Sequence, residues 1–198
     1  MTPAEKTLRS QRLNQITHEP HSKLDALVKA HAPFETRANF ARFVVAQYLF
    51  QSELVDLYND AELGAIVADL PARCRAEAAK ADLADLHTEI PAPVAGALKN
   101  PSKARALGWI FVSEGSKLGA AFLIKRAVAL ELSETFGARH LAEPQGGRAE
   151  GWKRFVKTLD ALPFSAEEEA EIEQGAIDAF NRFTVLLEQA YASEAEPA

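Results

Sequence analysis

Few residues in this 198-residue chain combine the type and spacing that chemistry requires, and most of them are histidines. They are His18, His21, His31, His87 and His140. His18 and His21 stand three apart in a helical pattern, so two imidazoles could share one metal ion, but nothing fixes the further ligands such a site needs. On the helical wheel His21 borders the apolar face, close to Thr17, Leu24 and Val28, while His18 lies further round with Gln15, Ser22 and Asp25. His31 points more centrally to the apolar side than either, yet it stands where Pro33 ends the helix. Periodicity alone does not select His21 over His31. His87 falls in a proline-bearing loop and His140 in a glycine-bearing one, the setting of solvated loop residues. Cys74, the single cysteine, sits between arginines and reads as an inert thiol. One cysteine also excludes an internal disulfide and the multi-cysteine metal sites. No Ser–His–Asp order stands out. A di-iron bundle needs Glu-x-x-His pairs on facing helices, and neither Glu53 nor Glu114 has a histidine three residues on.

The other candidate is Val112-Ser113-Glu114-Gly115-Ser116-Lys117-Leu118-Gly119-Ala120-Ala121-Phe122-Leu123. It lies inside a long apolar run that otherwise reads as a helix. Two interior glycines cost a helix roughly 1 kcal/mol each relative to alanine. Keeping Gly115 and Gly119 therefore implies that something lies against the bare backbone. A second helix meets that need, and so does a flat ligand; the spacing leaves both open.

The elements that position these residues read as helices throughout. A first helix runs from about Ala4 to Lys29, kinked or divided at Pro20, which lacks a backbone donor. Thr36 caps a second helix to about Asn59. A short helix spans Ala61–Asp69, and another starts at Pro71 and ends near Leu86. Residues 87–101 hold three prolines and read as a loop. Ser102 caps the long helix that carries both glycines, ending near Phe136. After a loop at 137–147, Arg148 to Ala161 is helical. Ser165 and Glu168 form a capping box for a final helix to about Ala192, and residues 193–198 read as a polar tail. No segment alternates with period two between turn residues. The expectation is an all-α single domain over residues 1–192, with six to eight helices.

Composition narrows the function classes. Nearly half the residues are apolar, enough to fill one sizeable core. The net charge of −6 offers no basic stripe, so nucleic acid is not an expected partner. The N-terminus lacks the apolar segment of a signal peptide, and no window reads as apolar for the roughly 18 residues of a membrane span. A cytoplasmic location is expected.

Taken together, the motifs resemble the bacterial heme oxygenases. Glu19-Pro20-His21 is followed about 90 residues later by Gly115-Ser116-Lys117-Leu118-Gly119. The likeness also covers Asn39-Phe40-Ala41-Arg42-Phe43, Gln47-Tyr48-Leu49-Phe50-Gln51, Phe136-Gly137-Ala138-Arg139-His140-Leu141 and Asp178-Ala179-Phe180-Asn181-Arg182-Phe183. It is nearest to the proteobacterial branch that extracts iron from imported heme. The resemblance implies a heme-oxygenase-like bundle with heme between a proximal helix and a kinked, glycine-containing distal helix. It implies that heme b is both cofactor and substrate. With O₂ and an external electron donor, heme is opened to biliverdin, CO and Fe²⁺.

Residue by residue, the resemblance makes His21 the axial ligand of the heme iron. Gly115, Ser116 and Gly119 fall on the distal helix, where backbone without Cβ approaches the porphyrin plane. Many relatives carry aspartate where this chain has Ser116. Serine here either joins proton delivery or back-bonds to a helix carbonyl. Lys29 and Arg126 match the positions that hold the propionates. The branch usually has lysine at the second of these, and arginine prefers a bidentate fork. Asn14 and Phe111 match the members in which heme is rotated in its plane, favouring β- and δ-biliverdin over α. Phe180 and Phe183 are expected to line the pocket. Implied partners are a ferredoxin- or flavin-type reductase and a cytoplasmic heme-delivery protein, with a monomer as the unit. Lys29, Arg126, Lys153 and Arg154 are candidates to contact an acidic donor. The rival readings are a non-catalytic heme carrier, an α-biliverdin-forming enzyme supplying a chromophore, and a thiamin-degrading relative.

Overall fold

Two glycines on different helices set the centre of the molecule. In a computed structural model describing residues 7–94 and 98–192, α7 (Lys103–Ala127) crosses α9 (Ala166–Ala192) at Gly108 and Gly175. A Cβ on Gly108 would fall on the Ile172 carbonyl oxygen and 2.7 Å from the Ala176 nitrogen. A Cβ on Gly175 would fall on the Arg105 carbonyl oxygen. Only bare backbone allows this approach. Helix α3 (Arg37–Glu53) packs across α9, and buried Phe40, Phe43, Val44, Leu107, Ile110, Ile172 and Leu186 fill the space between. Arg182 of α9 grips Glu53 of α3 through both of its carboxylate oxygens. The architecture is the all-α bundle expected, with two isolated bridges at Ser133 as the sole β pairing among the described residues.

The described residues hold nine α-helices rather than six to eight, because several expected helices are divided. The first is split into α1 (Arg9–Ile16) and α2 (His18–His31), with the break at Thr17 rather than Pro20. Pro20 cannot donate to the Ile16 carbonyl and its ring crowds that oxygen, so the chain parts one turn upstream. The expected start at Ala4 and the tail at 193–198 lie outside the described residues. Thr36 caps α3 by accepting from the Asn39 amide at 3.0 Å. That helix stops at Glu53, and α4 (Val55–Tyr58) follows after Leu54. Ser52 bonds back to the Tyr48 carbonyl at 2.7 Å there, a contact that bends helices. Asp60 caps α5, which covers Ala61–Ile66 only.

Pro71 opens a 3₁₀ turn, Leu70–Arg73, and α6 begins at Ala76. Tertiary bonds draw the link out of helical geometry: Lys117 Nζ donates to the Arg73 carbonyl at 2.8 Å, and the Arg75 amide donates to Gln51 Oε1 at 3.1 Å. Ser102 caps α7 as expected. The helix ends at Ala127, nine residues short of Phe136, through a 3₁₀ turn and Glu131 at φ +58°. Arg37 donates to the Leu130 carbonyl at 2.8 Å and satisfies that end. Helix α8 covers Arg148–Ala161, and the Ser165–Glu168 box opens α9.

One expectation on membranes fails. Lys103–Leu130 is, by length and composition, a helix apolar enough to cross a bilayer. It is apolar because it is the bundle's central helix, and half of that window is buried inside the protein.

Candidate active site

A cleft of about 800 Å³ opens between α2 and α7, and α3 and α9 supply its inner end. All ten sequence-selected residues line it: Asn14, His21, Lys29, Phe111, Gly115, Ser116, Gly119, Arg126, Phe180 and Phe183. Ligand pockets typically measure about 300–1,000 Å³.

His21 is the one histidine among the residues that line this cleft. Its side chain is 61 % exposed, with Nε2 3.7 Å from Asp25 Oδ1 and the ring 5.4 Å from Phe180. His31 instead stacks on Tyr191 at 4.1 Å, where the end of α2 meets α9. His140 is not a solvated loop residue. It is 2 % exposed, with Nδ1 2.7 Å from Asp82 Oδ2. Asp82 also accepts the amides of Arg139 and His140, and this clamp buries the loop. Burial pulls the His140 pKa down against the opposing pull of Asp82.

Of the three glycines of α7, Gly108 serves the crossing with α9, Gly115 faces a side chain of α8, and Gly119 faces open space. A Cβ on Gly119 would meet nothing within 4 Å, and one on Gly115 would meet the Trp152 ring at 3.4 Å. The crossing of α7 and α9 is made at Gly108 and Gly175, while Gly119 faces open space on the cleft. Around it, Leu118 and Phe122 are exposed, Phe122 by 73 %. Phe183 packs edge-on to Phe50 at 5.5 Å, and Phe111 is tilted against Trp152 at 5.3 Å. Lys29 and Arg126 stand exposed on the lining, the Arg126 guanidinium 4.6 Å over the Phe34 ring.

Ser116 both back-bonds and joins a network. Its hydroxyl donates to the Ser113 carbonyl at 2.6 Å and accepts from Arg75 Nη2 at 2.6 Å. Arg75 also donates to the carbonyls of Ser113 and His140. Behind the helix, Glu114 accepts from Tyr58 Oη at 2.9 Å, Lys117 Nζ at 2.8 Å and Arg73 Nη1 at 2.9 Å. Glu114 and Lys117 are charged residues of the apolar helix α7, and burial makes this cluster interact strongly. Burial pulls the Lys117 ammonium down to about 8 although Glu114 opposes it. Burial, then the Glu114 charge, pushes the Tyr58 phenol well up. The sequence did not mark Arg75 or Trp152. Arg75 sits in a polar segment and Trp152 on an amphipathic helix, so neither breaks a pattern.

Fold and cleft define an all-α bundle with an apolar ligand cleft rimmed by cations and a histidine. The solved structure of NO- and CO-bound heme oxygenase from Neisseria meningitidis matches with a TM-score of 0.88, at 36 % identity and covering 94 % of each chain. The heme oxygenase PigA of Pseudomonas aeruginosa is 58 % identical over 186 residues, 93 % of this chain and 94 % of that one. Residues 8–189 match the family model described as heme oxygenase. The chain belongs to the heme oxygenase family and is an oxidoreductase that cleaves heme.

Proposed function

We propose that this cleft binds heme b through His21 and directs its O₂-dependent opening to biliverdin, CO and Fe²⁺, with the β and δ isomers favoured. The observation that carries the reading is the open backbone at Gly119, on the cleft that His21 also lines. The lining suits heme: mostly apolar, with cations for two carboxylates and one imidazole for iron. Heme, once bound, supplies the metal that takes O₂ and the meso carbons that are oxidised.

The chain's own residues do the rest. His21 would hold the iron, and Asp25, with Oδ1 3.7 Å from Nε2, is the carboxylate within reach of the ring to orient it. Lys29 and Arg126 would take the propionates, Arg126 with its guanidinium 4.6 Å over the Phe34 ring. Gly119 would let the backbone of α7 approach the ring, Gly115 makes room for the Trp152 indole beside it, and Phe180 and Phe183 would exclude water along the lining. Ser116, held by Arg75, keeps a hydroxyl and its donor at the cleft surface in the place of a carboxylate. Asn14 and Phe111 favour the rotated seating. Electrons come from a ferredoxin- or flavin-type reductase, and the protein acts as a cytoplasmic monomer that releases iron from heme passed on by a delivery protein.

The test loads the purified protein with heme, adds ascorbate in air, follows the Soret band and identifies the pigment by chromatography. Decay to β- and δ-biliverdin is expected. The α isomer would overturn the roles of Asn14, Phe111 and Arg126. Intact heme would make the protein a carrier, and failure to bind would remove the site.

A further inference from the structure

From Trp152 we infer a specificity-determining residue: the edge of its indole bounds the cleft at the Gly115 end and limits how far a porphyrin slides along α7. The inference rests on the heme reading of the cleft. Trp152 is the one residue of α8 on the lining. Its Cη2 and Cζ3 would lie 3.4 and 3.6 Å from a Cβ on Gly115, so the benzo edge already touches the roof helix. The ring is wedged between Phe111 at 5.3 Å and Phe155 at 5.8 Å, and both of those are buried. An aromatic held on two sides by buried aromatics has little freedom to withdraw.

The glycines of α7 are therefore unequal. Gly115 is occupied on its open side by Trp152, while Gly119, one turn on, faces free space. Arg126 stands about 16 Å beyond Gly115 along the same helix at 1.5 Å per residue. The macrocycle lies between these limits, its carboxylates drawn to the Arg126 end and its opposite edge against the indole. The carbon brought under Gly119 is then set by the indole as well as by the cations.

The first measurement uses the unaltered protein with zinc protoporphyrin, which is diamagnetic and does not turn over. Ring-current shifts are read by NMR on the Trp152 benzo protons and on the Gly119 amide. Shifts on both are expected. A shifted Gly119 with an unmoved Trp152 overturns the inference and leaves the heme reading standing; no shift on either overturns both. In the second, Trp152→Ala is loaded with heme and the biliverdin isomers are quantified. Their ratio should change by about three- to tenfold, the range one aromatic contact is worth. An unchanged ratio overturns the inference. Trp152→Phe keeps an aromatic ring between Phe111 and Phe155 but pulls the edge back from Gly115, so it carries the same comparison if the alanine variant does not fold.

Discussion

Arg75 Nη2 and Ser116 Oγ lie 2.6 Å apart, and the serine hydroxyl spends its own proton on the Ser113 carbonyl at 2.6 Å. Arg75 thus organises the cleft side of α7 from behind, holding Ser116, Ser113 and the His140 carbonyl at once. Ser116→Ala leaves two of these contacts intact and should cost about 1 kcal/mol of stability, with heme turnover reduced but present. Arg75→Leu removes all three contacts at once and should cost about 3 kcal/mol. Chemical denaturation and ascorbate-driven Soret decay rank the two; a reversed order would make Ser116 the organiser.

Gly108 and Gly119 should respond oppositely to the same methyl group. Gly108→Ala collides with the backbone of α9 and should cost about 3 kcal/mol or more. Gly119→Ala meets open space in the ligand-free protein, so thermal stability should hold or rise by up to about 1 kcal/mol. Heme turnover should still fall about tenfold or more, because the methyl enters the ligand's space. Full activity in Gly119→Ala would remove the close-approach argument.

His21→Ala should abolish the imidazole-ligated heme spectrum, and added imidazole should restore it. His31→Ala should keep that spectrum, since His31 is spent on Tyr191. Retained ligation in His21→Ala would move the axial ligand elsewhere.

Lys117 predicts a rise of stability in mild alkali. Its folded pKa of about 8 lies below the unfolded value of about 10.4, so between these the unfolded chain binds the extra proton. The penalty of burying the ammonium is present below pH 8 and relieved as pH climbs toward 10, by up to about 3 kcal/mol. Unfolding free energies from pH 7 to 10, measured beside Lys117→Met, should show this slope in the parent alone. Equal slopes would place the lysine's proton in water.

Patterned residues were readable and tertiary events were not. The caps Thr36 and Ser102 and the Ser165–Glu168 box stand where local chemistry put them, because capping needs only neighbours within three residues. The end of α7 at Ala127 was hidden, since Glu131 takes the left-handed conformation that glycine usually signals. The wheel left His21 and His31 level, and only the partner of each ring separated them. Gly108 and Gly175 went unmarked in the sequence, because what lies across a glycine is a property of another helix. His140 was misjudged as solvated because its clamp, Asp82, is far away in sequence.

Helix α2 contains no fully buried residue, although Leu24 and Val28 line the cleft and Leu27 packs partly buried against the core. Its anchoring is concentrated at its ends, at buried Thr17 and at the His31–Tyr191 stack. Cargo entering the cleft therefore completes the packing of this segment, and binding energy becomes folding energy for it. Loading would then raise the free energy of opening this segment, and amide exchange across α2 should slow in the loaded protein.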